Sequence, residues 1–216
     1  MKKALIFQGG WQGHEPEQVA DILAGILKEE EFEVKVTETL GTLEQEDLTT
    51  YDLIVPNWTQ DTIKRSQLDP LLEAVAQGTG LAGLHGGMAD SFRMETDYQF
   101  MVGGQWVAHP GNDGITYTVN IKDSDHPLTK GMKDFEVTSE QYYLHIDPAV
   151  KIHATTRFPN APGPYSSNGE VDIPVVWSKK WGEGKVYYCS LGHVAEIVKM
   201  PEVVELMRNG MVWASR

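Results

Sequence analysis

Three of the seven histidines follow short apolar runs that predict strands. His14 ends Gly-Gly-Trp-Gln-Gly-His after the first run, His85 lies in Gly-Leu-His-Gly-Gly after the fourth, and His193 ends Leu-Gly-His after the last. In an open parallel sheet, ligands bind outside the carboxyl ends of the strands. A single histidine near a turn is more often a cap or a satisfied polar group, but three at one sheet edge favour a shared site.

The turn at His85 has the pattern of a strand, a tight turn and a helix with small neighbours. Such a turn lifts the central side chain into the crevice above the sheet and aims backbone N–H groups at the same point. Serine or cysteine in this position would be a nucleophile. Histidine there predicts a general base, a general acid or a metal ligand.

Two further residues complete the candidate catalytic set. His109 lies in Val-Gly-Gly-Gln-Trp-Val-Ala-His-Pro-Gly, where the glycines and the proline predict a loop. Glu140 follows the strand-like run from Phe135 to Thr138 and can be a general base, a metal ligand, a hydrogen-bonded anchor or an ordinary exposed acid. We therefore predict that the catalytic residues are His85, His109, Glu140 and His193.

Imidazoles from several strand ends, with one carboxylate, are ligands that Zn²⁺, Mn²⁺, Fe²⁺ and Ni²⁺ accept. His85, His109 and His193 are the candidate ligands for such a divalent metal. The spacing contains no short pair, such as histidines at i and i+4 of one helix, so metal-free acid and base chemistry stays open as the alternative.

The remaining histidines and the single cysteine predict structural roles. His126, in Ser-Asp-His-Pro, suits a turn and a helix start, and His145 and His153 are interpreted as surface or edge residues. Cys189 lies in the strand-like Val-Tyr-Tyr-Cys-Ser-Leu, which predicts a small core residue. With one cysteine, no disulfide can form within the chain.

Length and composition predict one α/β domain over residues 1–216. The net charge of −13 and the pI near 4.9 argue against nucleic acid and anionic membranes as partners, because both need clustered Lys and Arg. The apolar stretch after Met1 is too short for a signal peptide or a membrane span, so we expect a cytoplasmic protein. A homodimer is the default oligomer.

Hydrophobic periodicity predicts the elements that position these residues. In the first half, strands and amphipathic helices alternate as in a parallel sheet with crossover helices. Predicted strands cover Lys3 to Gln8, Phe32 to Thr37, Tyr51 to Pro56, Leu81 to Leu84, Ile115 to Ile121, Lys151 to Thr155, Ile173 to Trp177 and Lys185 to Leu191. One predicted helix starts near Glu15, a second spans Leu68 to Val75, and a third closes the chain from Glu202 to about Val212.

Six motifs follow one another along the chain. They are Gly-Leu-His-Gly-Gly (83–87), Asp-Ser-Phe-Arg (90–93), Val-Gly-Gly-Gln-Trp-Val-Ala-His-Pro (102–110), Asp-His-Pro-Leu-Thr-Lys-Gly-Met (125–132), Ser-Glu-Gln-Tyr-Tyr (139–143) and Pro-Val-Val-Trp through Gly-Lys-Val-Tyr-Tyr-Cys-Ser-Leu-Gly-His (174–193). In this order they resemble the trehalose-utilisation (ThuA-like) family over nearly the whole chain. The resemblance implies the fold of class I glutamine amidotransferases, a flavodoxin-like three-layer α/β sandwich with a mainly parallel sheet.

The resemblance also implies a function. Amidotransferases carry a cysteine nucleophile at the position of His85, so glutaminase activity is not expected here. The family pattern around the acid is Asp-Glu-x-Tyr, and Ser139 replaces the Asp, which leaves Glu140 and Tyr142 matched. The family is associated with trehalose and related disaccharides, partly through keto-sugars, which implies a sugar-like small-molecule substrate.

Tryptophans in the same loops suit such a substrate, because flat rings pack against the C–H faces of a sugar. Packing in the core or at the rim is the alternative for each of them. The predicted substrate-binding residues are Trp11, His14, Asn57, Trp58, Trp106 and Tyr142.

Two functional hypotheses follow. The first is an enzyme that acts on a sugar or keto-sugar by histidine and glutamate acid–base chemistry, with or without a metal. The alternative is a non-catalytic sugar-binding or partner-binding domain that keeps the fold without the nucleophile. No flavin or nucleotide cofactor is expected, because the first loop, from Gln8 to Glu15, lacks a Ser/Thr-rich phosphate cradle.

Overall fold

A computed structural model describes all 216 residues, which form eleven strands and seven α-helices. The strands are β1 (Lys3–Gly10), β2 (Glu33–Thr37), β3 (Leu53–Thr59), β4 (Gly80–Leu84), β5 (Gly104–Ala108), β6 (Ile115–Ile121), β7 (Phe135–Ser139), β8 (Tyr143–Ile146), β9 (Lys151–Phe158), β10 (Val171–Trp181) and β11 (Gly184–Cys189). The helices are α1 (Pro16–Glu29), α2 (Thr42–Gln45), α3 (Arg65–Ala76), α4 (His85–Ala89), α5 (Thr96–Val102), α6 (Ala195–Val198) and α7 (Pro201–Ala214).

The main sheet has nine strands in the order β2-β1-β3-β4-β11-β10-β9-β6-β7. From β2 to β11 the neighbours are parallel, and from β11 to β7 they are antiparallel. The prediction of a mainly parallel sheet is therefore corrected to a mixed sheet. The reversal comes from the hairpin between β10 and β11, whose short turn contains Gly182 at a φ of 60°.

Helices cover both faces of the parallel half of the sheet. Along β1, Ala4 and Ile6 pack into a core with α1, α6 and α7. Leu5 and Phe7 alternate with them and pack into a second core with α3, α4 and α5. This arrangement confirms the mixed α/β fold and leaves the carboxyl ends of β1, β3, β4 and β11 along one edge.

The second half contains elements that the periodicity did not predict. The predicted loop around His109 contains β5, which pairs antiparallel with β8 and places Trp106 opposite Leu144. This pairing joins segments about 40 residues apart, which local propensity cannot reveal. Helix α5, over Thr96–Val102, was also not predicted.

The interpretation of His153 as a surface or edge residue is wrong. His153 is fully buried, because β9 lies between β10 and β6 rather than at the edge of the sheet. Its Nε2 lies 2.7 Å from Ser178 Oγ, and its ring packs 4.2 Å from that of His126. His126 lies in a turn, as predicted, but no helix starts there. Cys189 is buried in β11, as predicted.

No helix combines the length and the apolar composition needed to cross a membrane.

Candidate functional site

The three histidines at strand ends come together at one edge of the sheet. His14 follows β1, His85 follows β4, and His193 follows β11. The ring centroid of His14 lies 4.8 Å from that of His85 and 5.2 Å from that of His193, and the last two are 5.6 Å apart. The crossover connections of the parallel sheet therefore assemble a cluster from residues separated by most of the chain.

His85 adopts a left-handed backbone conformation at the turn between β4 and α4, with a φ of 46°. For a residue other than glycine, this conformation costs about 1–2 kcal/mol. The next residue is Gly86, and a Cβ atom there would lie 2.6 Å from His14 Cε1. The small neighbours in Gly-Leu-His-Gly-Gly thus allow the rings of His14 and His85 to approach each other closely.

The hydrogen bonds of His85 define which of its nitrogens carries the proton. Nδ1 lies 2.8 Å from the backbone carbonyl oxygen of Ser190, which can only accept, so Nδ1–H is the donor. Nε2 then presents a lone pair to Glu140 Oε2, 3.1 Å away. His14 Nδ1 lies 2.8 Å from Thr59 Oγ1, and the other ring nitrogen of His14, Nε2, faces the cluster.

Glu140 lies at the centre of the cluster, just after β7. Besides the contact with His85, its Oε2 lies 3.3 Å from His193 Nδ1 and 4.0 Å from His14 Nε2, and its Oε1 lies 3.6 Å from His109 Nδ1. Tyr117 donates a hydrogen bond of 2.9 Å to the backbone carbonyl of Glu140 and fixes this segment. The side chain of Glu140 is only 6 % exposed.

The electrostatics of the cluster are set mainly by burial. Burial, reinforced by the neighbouring His85, lowers the pKa of His14 to about 3. Burial also lowers the pKa of His85, against an opposing effect of Glu140. For Glu140, burial would raise the pKa, but the neighbouring His193 and His85 outweigh it and keep the pKa below its usual range. At neutral pH an ionised carboxylate therefore lies beside the neutral imidazoles of His14 and His85.

Four potential ligand atoms lie within 4.8 Å of one another, from His14, His85, Glu140 and His193. The sequence predicted His109 in such a set in place of His14. His109 lies outside this group of four and is about one third exposed, with its Nδ1 near the second oxygen of Glu140. His14, assigned only to substrate binding, takes the inner position because its short 3₁₀ turn folds back over the end of β3.

A cavity of about 440 Å³ opens above the cluster, within the size range of small-molecule sites. Trp11, Trp106 and Tyr142 line it as predicted from the sequence, and the Tyr142 ring stacks on His85 at 3.9 Å between centroids. The other lining residues include His14, Glu140, His193, His109, Gln60, Asp90, Arg93, Asn112 and Asp113.

Asp90 and Arg93 are lining residues that were not predicted as site residues. Arg93 donates two hydrogen bonds to Asp90, of 2.5 and 2.8 Å, and its guanidinium lies 4.5 Å from the Trp106 ring centroid. Both belong to Asp-Ser-Phe-Arg, the motif that follows the His85 turn, so the sequence signal was present.

Two predicted substrate-binding residues lie outside the cavity lining. Asn57 is buried, and its Nδ2 donates a hydrogen bond of 2.8 Å to the carbonyl of Pro16 at the start of α1. Trp58 packs against Gly9, and its Nε1 donates to Asp61. Asn57 Nδ2 and Trp58 Nε1 are already bonded within the protein, so a role of these two residues in substrate binding stays a prediction.

With this fold and this cluster, the chain belongs to the ThuA family. The family model described as trehalose utilisation matches residues 3–214. This result confirms the resemblance that the motifs predicted.

Solved structures agree with this assignment. A ThuA-like protein from Parabacteroides merdae has a TM-score of 0.79 at 18% identity, with 99% of this chain and 89% of that chain covered. A ThuA-like protein from Bacteroides uniformis has a TM-score of 0.76 at 19% identity, with 99% and 91% covered. A Salmonella typhimurium protein described as cytoplasmic has a TM-score of 0.67 at 13% identity, with both chains fully covered. A sequence search of curated proteins found no significant match.

Proposed function

We propose that this protein is an enzyme that acts on a sugar or keto-sugar with the help of a divalent metal ion. The observation that carries the proposal is the contact between His85 Nε2 and Glu140 Oε2 at 3.1 Å. Because Nδ1 of His85 donates to Ser190, both facing atoms are hydrogen-bond acceptors. Two acceptors at this distance require a proton or a metal cation to bridge them, and the burial that lowers the pKa of His85 disfavours a proton on its ring.

The donor set and its spacing support a metal ion. Ligand atoms around a tetrahedral zinc, with bonds of about 2.0–2.1 Å, lie about 3.3 Å apart. The distances from Glu140 Oε2 to His85 and His193 are 3.1 and 3.3 Å, and the distance to His14 is 4.0 Å. Furthermore, His193 Nδ1 is buried without a hydrogen-bond partner. Three imidazoles and one carboxylate suit Zn²⁺, Mn²⁺, Fe²⁺ or Ni²⁺.

The family and the aromatic lining support a sugar as substrate. Trp11 and Trp106 offer flat rings beside the polar groups of Asp90 and Arg93, which can bind hydroxyl groups. When bound, the metal would polarise a carbonyl or hydroxyl oxygen of the sugar. His109, at the rim of the cluster and about one third exposed, is placed to accept or donate a proton at the substrate. A cytoplasmic location is part of the proposal, since two Salmonella neighbours carry that description.

The decisive experiment measures metal content and sugar conversion on the same samples. Untagged protein is reconstituted separately with Zn²⁺, Mn²⁺, Fe²⁺ and Ni²⁺, dialysed and analysed for bound metal, and then incubated with glucose, trehalose and their keto forms. Glu140→Gln removes the charge of the cluster and nearly preserves its volume. His145→Ala is the matched control for metal content, because His145 is an exposed histidine outside the cluster.

We expect close to one metal ion per chain in the wild type and in His145→Ala, and a loss of at least about tenfold in metal affinity in Glu140→Gln. We also expect the metal-loaded wild type to convert a sugar, and we expect no conversion by the metal-free protein or by Glu140→Gln. Equal metal content in Glu140→Gln would remove the metal site from the proposal. Metal and sugar binding without conversion would instead indicate a non-catalytic binding domain.

A further inference from the structure

A second cleft, which we call the aromatic cleft, adjoins the cavity above the cluster. Its volume is about 630 Å³. Three groups of residues line it: the strand end from Trp106 to Pro110, the β8 residues Tyr143 and His145, and part of the loop between β9 and β10, comprising Pro162, Gly163, Pro164, Tyr165 and Asn168.

The aromatic cleft and the cavity share one wall. Trp106 and His109 line both of them. The adjacent Tyr142 and Tyr143 divide between the two spaces, since Tyr142 lines the cavity and Tyr143 lines the cleft, as expected for successive residues in extended chain. The two spaces therefore adjoin at Trp106 and His109, and a molecule that occupied both would cross between them at these two residues.

The loop wall of the cleft is held in place by contacts within the protein. The rings of Tyr143, Phe158 and Tyr165 pack together, with centroids 5.2 to 5.8 Å apart. In addition, Asn160 donates a hydrogen bond of 3.1 Å to Gln141, next to Glu140. These contacts tie the loop to the segment that carries the carboxylate of the cluster, so the cleft is formed without a ligand.

Two polar side chains of the cleft, Tyr165 and Asn168, are already hydrogen-bonded within the protein. Tyr165 donates its hydroxyl hydrogen to the carbonyl of Ala161, and Asn168 Nδ2 donates to the hydroxyl oxygen of Tyr143 at 2.9 Å. The rest of the lining includes three prolines and the rings of Trp106 and Tyr143. Because the lining of the cleft is mainly apolar, a flat apolar ring would gain aromatic contacts there at little desolvation cost. A second sugar ring would depend for its hydroxyl groups on His109, His145 and the free atoms of Tyr143 and Asn168.

We propose that the aromatic cleft binds the aromatic aglycone of a glycoside whose sugar ring lies in the cavity above the cluster. This inference rests on the proposed function and narrows its substrate class from sugars in general to aryl glycosides. Trp106 and His109 then lie at the junction between sugar and aglycone.

The test compares matched pairs of ligands by isothermal titration calorimetry on the metal-loaded protein. Methyl and phenyl glycosides of glucose and galactose, in both anomeric forms, differ only in the group that the cleft would receive. Trehalose carries a second sugar in that place. Tyr165→Ala removes a ring from the cleft, Tyr165→Phe keeps the ring, and Val107→Glu adds a charge at an exposed lining position that tolerates substitution.

We expect a phenyl glycoside to bind about tenfold more tightly than its methyl counterpart, in line with the contribution of one aromatic contact. Tyr165→Ala and Val107→Glu should remove this preference without changing the Kd of the methyl glycoside, and Tyr165→Phe should keep it. Thermal melting of each variant confirms that it is folded.

Four results would overturn the inference, and they separate it from the proposed function. Equal Kd values for methyl and phenyl glycosides, or a preference that survives in folded Tyr165→Ala and Val107→Glu, would exclude an aglycone in the cleft and leave the sugar function intact. If trehalose binds more tightly than a methyl glycoside and this gain in affinity depends on Tyr165, the cleft binds a second sugar ring and not an aromatic aglycone. No binding of any glycoside would overturn both proposals together.

Discussion

The molecule contains two groups of packed histidines, and only one of them has the features of a site. In the first, His14, His85 and His193 surround Glu140 beneath an open cavity. In the second, His153 packs against His126 in the antiparallel half of the sheet. The second group has no carboxylate within ion-pair distance, and neither residue lines the cavity above the cluster or the aromatic cleft.

The two groups use their hydrogen bonds differently. His153 Nε2 is paired with the hydroxyl of Ser178, which can donate or accept, and its buried Nδ1 has no hydrogen-bond partner. His85 is fixed in one tautomer by a carbonyl, and its free nitrogen meets a carboxylate. Burial of a histidine is therefore a weak signal of function, and the convergence of unpaired acceptors is a stronger one.

The largest expected difference between the groups concerns activity. His85→Ala removes one of the four ligand atoms, and we expect sugar conversion to fall by more than about a hundredfold together with loss of bound metal. His153→Gln, which keeps a polar side chain beside Ser178, should leave conversion within about twofold of the wild type. Turnover rates and circular dichroism spectra of both variants check this prediction. A folded His85→Ala protein with normal turnover would contradict it.

An intermediate effect is expected from the hydroxyl groups that support each histidine. Thr59→Val removes the partner of His14 Nδ1, and second-layer groups of this kind contribute about 10–100-fold to metal affinity. Ser178→Ala removes the corresponding partner of His153, so metal affinity should not change. Competition titrations with a chelating dye measure both values. Equal losses in the two variants would show that the effect is general rather than local.

The smallest expected effect concerns the pH dependence of folding stability, and it arises from His153 in the second group. Burial is the main cause that lowers the pKa of His153 from 6.5 to about 4, with a further contribution from His126. Between these values the unfolded chain binds the proton and the folded chain does not, so stability falls as the pH falls. Acidification from pH 7 to pH 5 should cost roughly 2 kcal/mol through this residue.

Urea unfolding of the wild type and of His153→Gln at pH 7 and pH 5 measures this contribution. The variant should lose less stability than the wild type over the same interval, because glutamine does not titrate. An identical loss in both proteins would assign the pH dependence to other groups, such as His14, whose pKa is lowered to about 3 by burial and by His85.

Much of the site was predictable because the carboxyl ends of parallel strands meet at one edge. That rule alone brought His14, His85 and His193 together, and the placement of Glu140 after a strand was also correct. The rule could not show that His14, and not His109, belongs to the four potential ligand residues. This depends on how a three-residue turn folds over Thr59. The rule could not show that Asn57 lies outside the cavity lining either, because the hydrogen bond to Pro16 joins segments 41 residues apart.

The antiparallel half was predicted less well for a related reason. The burial of His153 depends on β6 pairing with β9, and the pairing of β5 with β8 builds the wall that Trp106 contributes to both cavities. These contacts join strands whose order in the sheet differs from their order in the chain. Hydrophobic periodicity identifies such strands singly but contains no information on their partners.

The loop between Phe158 and Val171 has a consequence for how this fold can diversify. It forms one wall of the aromatic cleft but contributes none of the four ligand atoms. Surface loops accept insertions and deletions far more readily than the strands that they connect. Relatives with a longer or shorter loop would therefore keep the same reaction chemistry and exchange one family of substrates for another.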